Sequence, residues 1–299
     1  MVYTEIKEKN GKKYFYRVKS VRVGKKVNKK RIYLGVDLDK KKLLKEEEKA
    51  DKELQLLSTL LTAEEKNQLE KIKKDYLSQP KETKENRYES FVSLFTYDST
   101  NIEGNTLTLQ ETSQLLFENI TPRKSLREIN EVINHKKAFD YLLDVKNHFS
   151  KELILKIHKL VVQNTLRPDL KDQIGKYRTL QVYIRGTNWL PLKPGEVPKE
   201  MGYLLSWYSK NKKKLHPLIL AAYFHSAFET IHPFVDGNGR VGRLLMNLIL
   251  YKNKYPMVNI PNKKKYKYYK ALESSQLNGD LMPLVKFLFD ILKKEKVRF

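Results

Sequence analysis

Cysteine is absent from the 299 residues, which excludes disulfides, thiolate metal sites and a cysteine nucleophile. No apolar run approaches the ~20 residues of a membrane helix. The opening stretch, MVYTEIKEKNGKK, lacks the apolar segment of a secretory signal, so a cytoplasmic setting is expected. There is no H-E-x-x-H and no His and carboxylate set at zinc spacing, so zinc is not expected. No internal repeat or low-complexity tail occurs. Acidic residues are scarce beside basic ones: 35 Asp and Glu against 59 Lys and Arg, a formal charge of +24. Such a chain is drawn to anions, whether nucleic acid, nucleotides or acidic partners. At 40% hydrophobic and 31% charged residues the composition is that of a folded chain, long enough for one large domain or two modest ones.

The first 35 residues hold twelve Lys or Arg against two Glu. Val2, Thr4 and Ile6 alternate with Tyr3, Glu5 and Lys7, and Asn10-Gly11 is a hairpin-turn signal, since both positions tolerate positive φ. Tyr14, Tyr16 and Val18 then alternate with Phe15, Arg17 and Lys19, and a second turn near Gly24 leads to Arg31-Ile-Tyr-Leu34. This pattern predicts a basic three-stranded β-meander over 1–36. Residues 37–86 read as a helical connector: Leu54, Leu57 and Leu61 share one face, and Thr62-Ala-Glu-Glu65 is a capping box leading to Leu69, Ile72 and Tyr76. A break at Gln79-Pro80 precedes a mostly helical third region, 87–299, with further capping boxes at Thr108 to Glu111 and Ser125 to Glu128. Within it, residues 178–198 carry a hairpin signature, with Val182-Tyr-Ile184 and Trp189-Leu190 flanking Arg185-Gly-Thr-Asn188.

The chemistry concentrates at 216–250. An apolar helix ending near Ile231 runs into His232-Pro-Phe-Val-Asp-Gly-Asn-Gly-Arg-Val-Gly-Arg243, and a second apolar helix follows. Gly237 and Gly239 permit a sharp loop and leave backbone N–H groups uncovered. Together with the N-terminus of the second helix they make an anion nest. Arg240 and Arg243, at i and i+3, are expected to reach the same anion. Asp236 is an oxygen ligand of the kind a phosphate-bridging Mg²⁺ uses. His232 is a general base suited to neutral pH. Base, metal ligand and phosphate clamp together suit phosphoryl-type transfer.

The contiguous string resembles the signature of the Fic family, H-P-F-x-[DE]-G-N-G-R-x-x-R, with all nine fixed positions filled. Gly175-Lys-Tyr-Arg178 followed by Val182, Tyr183 and Ile184 is similar to the family's approach to its target-aligning flap. Tyr268-Tyr269-Lys-Ala-Leu272 and Asn278-Gly-Asp280 resemble the helices that shape its nucleotide pocket, and Ser99-Thr-Asn-Ile-Glu103-Gly-Asn105 resembles its inhibitory motif, [ST]-x-x-x-E-[GN]. The resemblance covers 88–292. It implies a mainly α fold: a Fic-like helical core with a β-hairpin flap, here preceded by the small antiparallel meander.

The resemblance also implies an activity, transfer of AMP from ATP to a Ser, Thr or Tyr hydroxyl of a protein target and of the enzyme itself. His232 would deprotonate the hydroxyl, and Asp236 would hold Mg²⁺ between the α- and β-phosphates. Gly237, Asn238 and Gly239 would cradle the phosphates, with Arg240 toward the β-phosphate, Arg243 toward the γ-phosphate and Tyr269 at the nucleotide pocket. The full string, Asp236 and both arginines included, departs from the phosphate-transferring branch of the family. Ser99 and Glu103 would form an inhibitory segment upstream of the core, with Glu103 occupying the γ-phosphate's place on Arg243. Removal of AMP stays open as an alternative activity. A reading of another class stays open too: the basic, tyrosine-containing first 35 residues would bind nucleic acid or an acidic partner, and the core would sense nucleotide. ATP, a protein target, that anionic partner and a second copy in a homodimer are the partners these readings name.

Overall fold

The computed structural model describes residues 2–23, 26–57, 59–145, 149–184, 190–295 and 299, with the backbone alone for residues 2, 19–23, 26–30 and 51–56. The chain divides into two compact units, Met1–Thr62 and Ala63–Phe299.

In the first unit, β1 (Val2–Lys9), β2 (Lys12–Val23) and β3 (Lys26–Val36) form an antiparallel sheet in that order. Asn10 and Gly11, both at positive φ, make the turn their sequence predicts. The turn expected near Gly24 lies outside the described residues. Helix α1 (Lys40–Leu56) starts where the Asp39 side chain accepts the Lys42 N–H at 2.8 Å. Leu38, Leu43 and Ala50 pack on Phe15, Ile32 and Leu34. Glu47 of α1 meets Thr4 and Arg17 on the same sheet face. The sequence placed the boundary of this module at residue 36 and gave 37–86 to a connector. The structure instead joins α1 to the sheet, because the apolar side of the helix is what covers the apolar sheet face.

The second unit is helical among its described residues. Helix α2 (Ala63–Leu77) buries Leu69 and Ile72, and a short 3₁₀ turn at Lys81–Thr83 leads into α3 (Lys84–Ile102). The reciprocal capping boxes expected at Thr108 and Ser125 open α4 (Leu109–Phe117) and α5 (Leu126–Asp144). Then come α6 (Lys151–Val162), α7 (Val197–Asn211), α8 (Pro217–Ile231), α9 (Asn238–Lys252), α10 (Lys265–Asn278) and α11 (Met282–Lys294). The α8–α9 pair is the centre: Leu218, Phe224, Phe228, Val241, Leu244, Leu245 and Leu248 are all inaccessible. Helices α3, α5, α6, α7, α10 and α11 pack around that pair. No helix among the described residues is long and apolar enough to cross a membrane.

The stretch expected to form the flap hairpin differs in detail. Val182, Tyr183 and Ile184 are in no regular strand, and α7 already begins at Val197. Residues 185–189, the expected turn and Trp189, lie outside the described residues. Trp207 stacks on Tyr223 with ring centroids 3.8 Å apart, a packing role.

Candidate active site

Helix α8 ends at His232, whose φ of 50° puts a non-glycine residue in the left-handed region. The chain turns through Pro233 to Gly237, whose own φ of 80° suits glycine alone, and enters α9. Two side chains hold this loop. Asn238 accepts the Phe234 N–H at 2.9 Å and donates to the Phe234 carbonyl at 2.8 Å. Arg178, 2% exposed, donates through Nε to the His232 carbonyl at 2.8 Å, while its own N–H donates to the Pro233 carbonyl at 2.9 Å. Its remaining nitrogens reach the Leu180 and Leu192 carbonyls on either side of the flap segment. The ring of Phe234 stacks on His158 at 3.7 Å. The loop is therefore clamped before any ligand arrives.

Burial lowers the His232 imidazole to about 4, with the Glu229 backbone carbonyl opposing that shift. The ring is thus neutral at pH 7 and able to accept a proton. At the start of α9 the first N–H groups have no intrahelical acceptor by geometry. A carboxylate lies close to this helix start: a Cβ added at Gly239 would lie 2.1 Å from Glu103 Oε1. Glu103 ends α3, and its Oε1 accepts from Arg243 Nη2 at 2.7 Å. Arg243, 1% exposed, also donates from Nε to Ser99 Oγ at 3.0 Å and from Nη2 to the Ser99 carbonyl at 2.7 Å. A buried guanidinium needs such partners, and it has them on one turn of α3. That turn is itself fixed: the buried Asp98 carboxylate accepts from Asn259 Nδ2 at 2.6 Å and from the Asn262 N–H at 2.7 Å.

Arg240 takes a different direction. Its Nη2 lies 3.3 Å from Asp236 Oδ1 and its Nη1 lies 3.7 Å from Glu131 Oε1. Each guanidinium thus has a carboxylate of its own, Asp236 beside Arg240 and Glu103 beside Arg243. Asp236 is half-buried; its Oδ1 also accepts the Gly237 N–H at 2.6 Å, and Arg127 Nη2 lies 3.5 Å from its Oδ2. Among the described residues no three His, Cys, Asp or Glu cluster as a metal cage. A single carboxylate beside a phosphate nest matches Mg²⁺ held mostly by nucleotide oxygens and water. Both ends of the Asn238 side-chain amide are taken by Phe234, so here the side chain braces the loop.

Tyr269 sits at the rim, 42% exposed, its hydroxyl donating to the Ile102 carbonyl at 3.3 Å. Burial, then the nearby Glu103 charge, pushes that phenol up to about 12. Tyr183 of the flap segment is 80% exposed. Beneath Arg243 lies a set of groups of which the sequence pointed only to Tyr268, in the string that resembles the nucleotide-pocket helix. The Tyr268 hydroxyl and His225 Nε2 are 2.6 Å apart, and buried Glu229, pushed up to about 8 by desolvation, shares the space left open by Gly242 with His225. The signal for Glu229 was there: a carboxylate inside an apolar helix, one turn from both His225 and His232. Arg127 and Glu131 gave no such signal, because on the sequence they read as one more solvated helix face.

Residues 148–250 match the family model described as Fic/DOC family. The chain is 37% identical over 205 residues to "Protein adenylyltransferase Fic" of Drosophila persimilis, covering 66% of this chain and 39% of that one. The Drosophila melanogaster protein of the same name gives 37% identity, with 66% and 40% covered. The chain thus spans about two fifths of the length of the curated relatives it matches. A Fic domain containing signaling protein from Bacteroides thetaiotaomicron superposes with a TM-score of 0.69 at 27% identity, covering 77% of this chain and 94% of that one. C. elegans Fic-1 gives 0.69 at 28%, covering 86% and 76%.

Proposed function

For a chain that belongs to the Fic/DOC family, we propose protein adenylyltransferase activity: transfer of AMP from ATP to a hydroxyl of a protein target and of the chain itself. The observation that carries this reading is the juxtaposition of a neutral, enclosed His232 with the α9 phosphate nest and two guanidiniums. The imidazole takes the hydroxyl proton, the oxygen attacks the α-phosphorus, and the bond to pyrophosphate breaks. Negative charge grows on the leaving group, where the N–H groups of Asn238 and Gly239 and the Arg240 and Arg243 cations lie ready for it. Mg²⁺, held at Asp236, would supply further neutralisation of the phosphates when bound. Val182, Tyr183 and Ile184 lie in no regular strand, with Tyr183 exposed, and would be the backbone against which a target segment aligns as a strand.

Glu103 is the regulator in this reading. Its carboxylate accepts from Arg243 and lies close to Gly239, so in this reading ATP binding with Arg243 on its γ-phosphate requires Glu103 to leave. The test is release of pyrophosphate from ATP and Mg²⁺, with a gain of one AMP mass on protein. His232→Ala should abolish both while leaving the fold in place, since Arg178 and Asn238 hold this loop through backbone groups that the substitution keeps. Activity that survives His232→Ala sinks the assignment.

A further inference from the structure

The first unit carries a feature that the transfer reaction does not use. Strand β1 pairs with β2 only as far as Lys19, and beyond it β2 and β3 run on as a two-stranded ribbon, Ser20 to Val23 against Lys26 to Lys29. Four residues at ~3.4 Å each extend it by about 14 Å. No acidic residue occurs in the sequence between Glu8 and Asp37, and the ribbon and its base carry Lys19, Arg22, Lys26, Lys29 and Lys30 as strand residues. The register sets Lys19 opposite Lys30, and at the other end of the sheet Lys9 opposite Lys12. Like charges directly across a ladder oppose the fold, and a polyanion removes that repulsion.

The sheet face away from α1 points to the kind of polyanion. Tyr14, Tyr16 and Tyr33 lie there, but their rings pack on one another, with centroids 6.5 Å apart for Tyr14 and Tyr33 and 5.4 Å for Tyr16 and Tyr33, both pairs tilted. Lys7 Nζ lies 5.7 Å from the Tyr16 ring centre. Rings engaged with each other at an angle are not the flat, separated platforms on which single-stranded bases stack. A two-stranded ribbon, by contrast, fits a major groove roughly 12 Å wide and 8.5 Å deep.

We propose that the Met1–Thr62 unit binds duplex DNA, with the β2–β3 ribbon in the major groove and its Lys and Arg residues on the flanking phosphates. The activity is independent of AMP transfer and would bring the enzyme to DNA-bound targets.

The test uses the full chain and fluorescence anisotropy with a labelled 20-base-pair duplex, the same strand alone, and labelled polyglutamate, at 50 and 200 mM salt. Five phosphate contacts give a log–log salt slope of about −4.5, roughly a 500-fold loss of affinity over that range. Replacing Arg22, Lys26 and Lys29 by Gln should flatten the slope by about 2.7 and weaken duplex binding at least tenfold. The same change at Lys40, Lys41 and Lys42, which removes equal charge from the start of α1, should leave the duplex affinity within about twofold. Circular dichroism confirms that each triple variant stays folded, and single substitutions at Arg22 or Lys29 replace any that does not. Absent binding, tighter binding to the single strand or to polyglutamate, or equal losses in the two triple variants would each overturn the proposal. AMP transfer measured on the same preparations keeps its failure distinct from failure of the transfer reading.

Discussion

Replacing Glu103 by glycine removes one contact from Arg243 and leaves two. The lost contact is the charge-assisted bond from Nη2 to Oε1 at 2.7 Å, while both bonds to Ser99 stay and keep the guanidinium in place. Such a bond contributes about 1.5–3 kcal/mol. The Glu103 side chain is 36% exposed, which puts the figure in the lower half of that range. Freeing Arg243 should then raise AMP transfer by about 13- to 45-fold, inside the 5- to 150-fold span of intramolecular switches. The fold should tolerate the change, because Glu103 ends α3 rather than lying within it and its neighbour Gly104 already turns the chain. The assay is the initial rate of AMP incorporation with ATP, Mg²⁺ and target in excess. Arg243→Ala in the Glu103→Gly background should cancel the gain, since the released group no longer exists. An unchanged rate on Glu103→Gly would refute the argument and reduce Glu103 to a helix-end acid.

Acid should unfold the second unit early. Burial lowers His158 and His225 to about 3 and takes His135 well below its ordinary value, so the unfolded chain binds protons between pH 6.5 and 4 that the folded chain refuses. Glu229 works the other way: raised to about 8, it keeps its proton when folded and loses it above about 4.5 when unfolded, so its contribution fades as pH rises. Burial also lowers His216 and His232 to about 4, so five protons less one leave a net uptake of about four on unfolding near pH 5, and stability falls steeply below pH 6; urea melts at pH 7.5, 6 and 5 check it, and a flat midpoint would contradict it. Gly242→Ala should destabilise the helical unit by about 1–3 kcal/mol and lower Tm, because the new Cβ would lie 2.3 Å from Glu229 Oε1 and 2.9 Å from His225 Nδ1 inside the core; an unchanged melting curve would mean the α8–α9 contact is looser than drawn.

Much of the site was legible because it is contiguous. The string from His232 to Arg243 is one loop and one helix start, so its geometry follows from local rules, and the capping boxes at Thr108 and Ser125 were readable for the same reason. The pairing of Glu103 with Arg243 joins residues 140 apart, and the inhibitory-motif resemblance alone brought them together on the sequence. What escaped depends on long-range packing. Arg178 clamps the His232 loop through backbone carbonyls, which leave no trace in sequence. The carboxylate partners of Arg240 were not legible either, because helical spacing fixes where a side chain starts, not which carboxylate it finds. The first module was drawn too short because Leu38, Leu43 and Ala50 look like connector residues until a sheet face is placed against them.

The central claim is that this site moves the α-phosphate of ATP, with its nucleoside, onto a protein hydroxyl. Two parallel incubations decide it, one with ATP labelled at the α-phosphate and one with ATP labelled at the γ-phosphate, each with Mg²⁺, the full chain carrying Glu103→Gly and a protein lysate. The account predicts α-label on protein, including on the enzyme itself, no retained γ-label, and loss of the signal when His232→Ala is added. Protein that keeps the γ-label, or an α-label indifferent to His232, would contradict it.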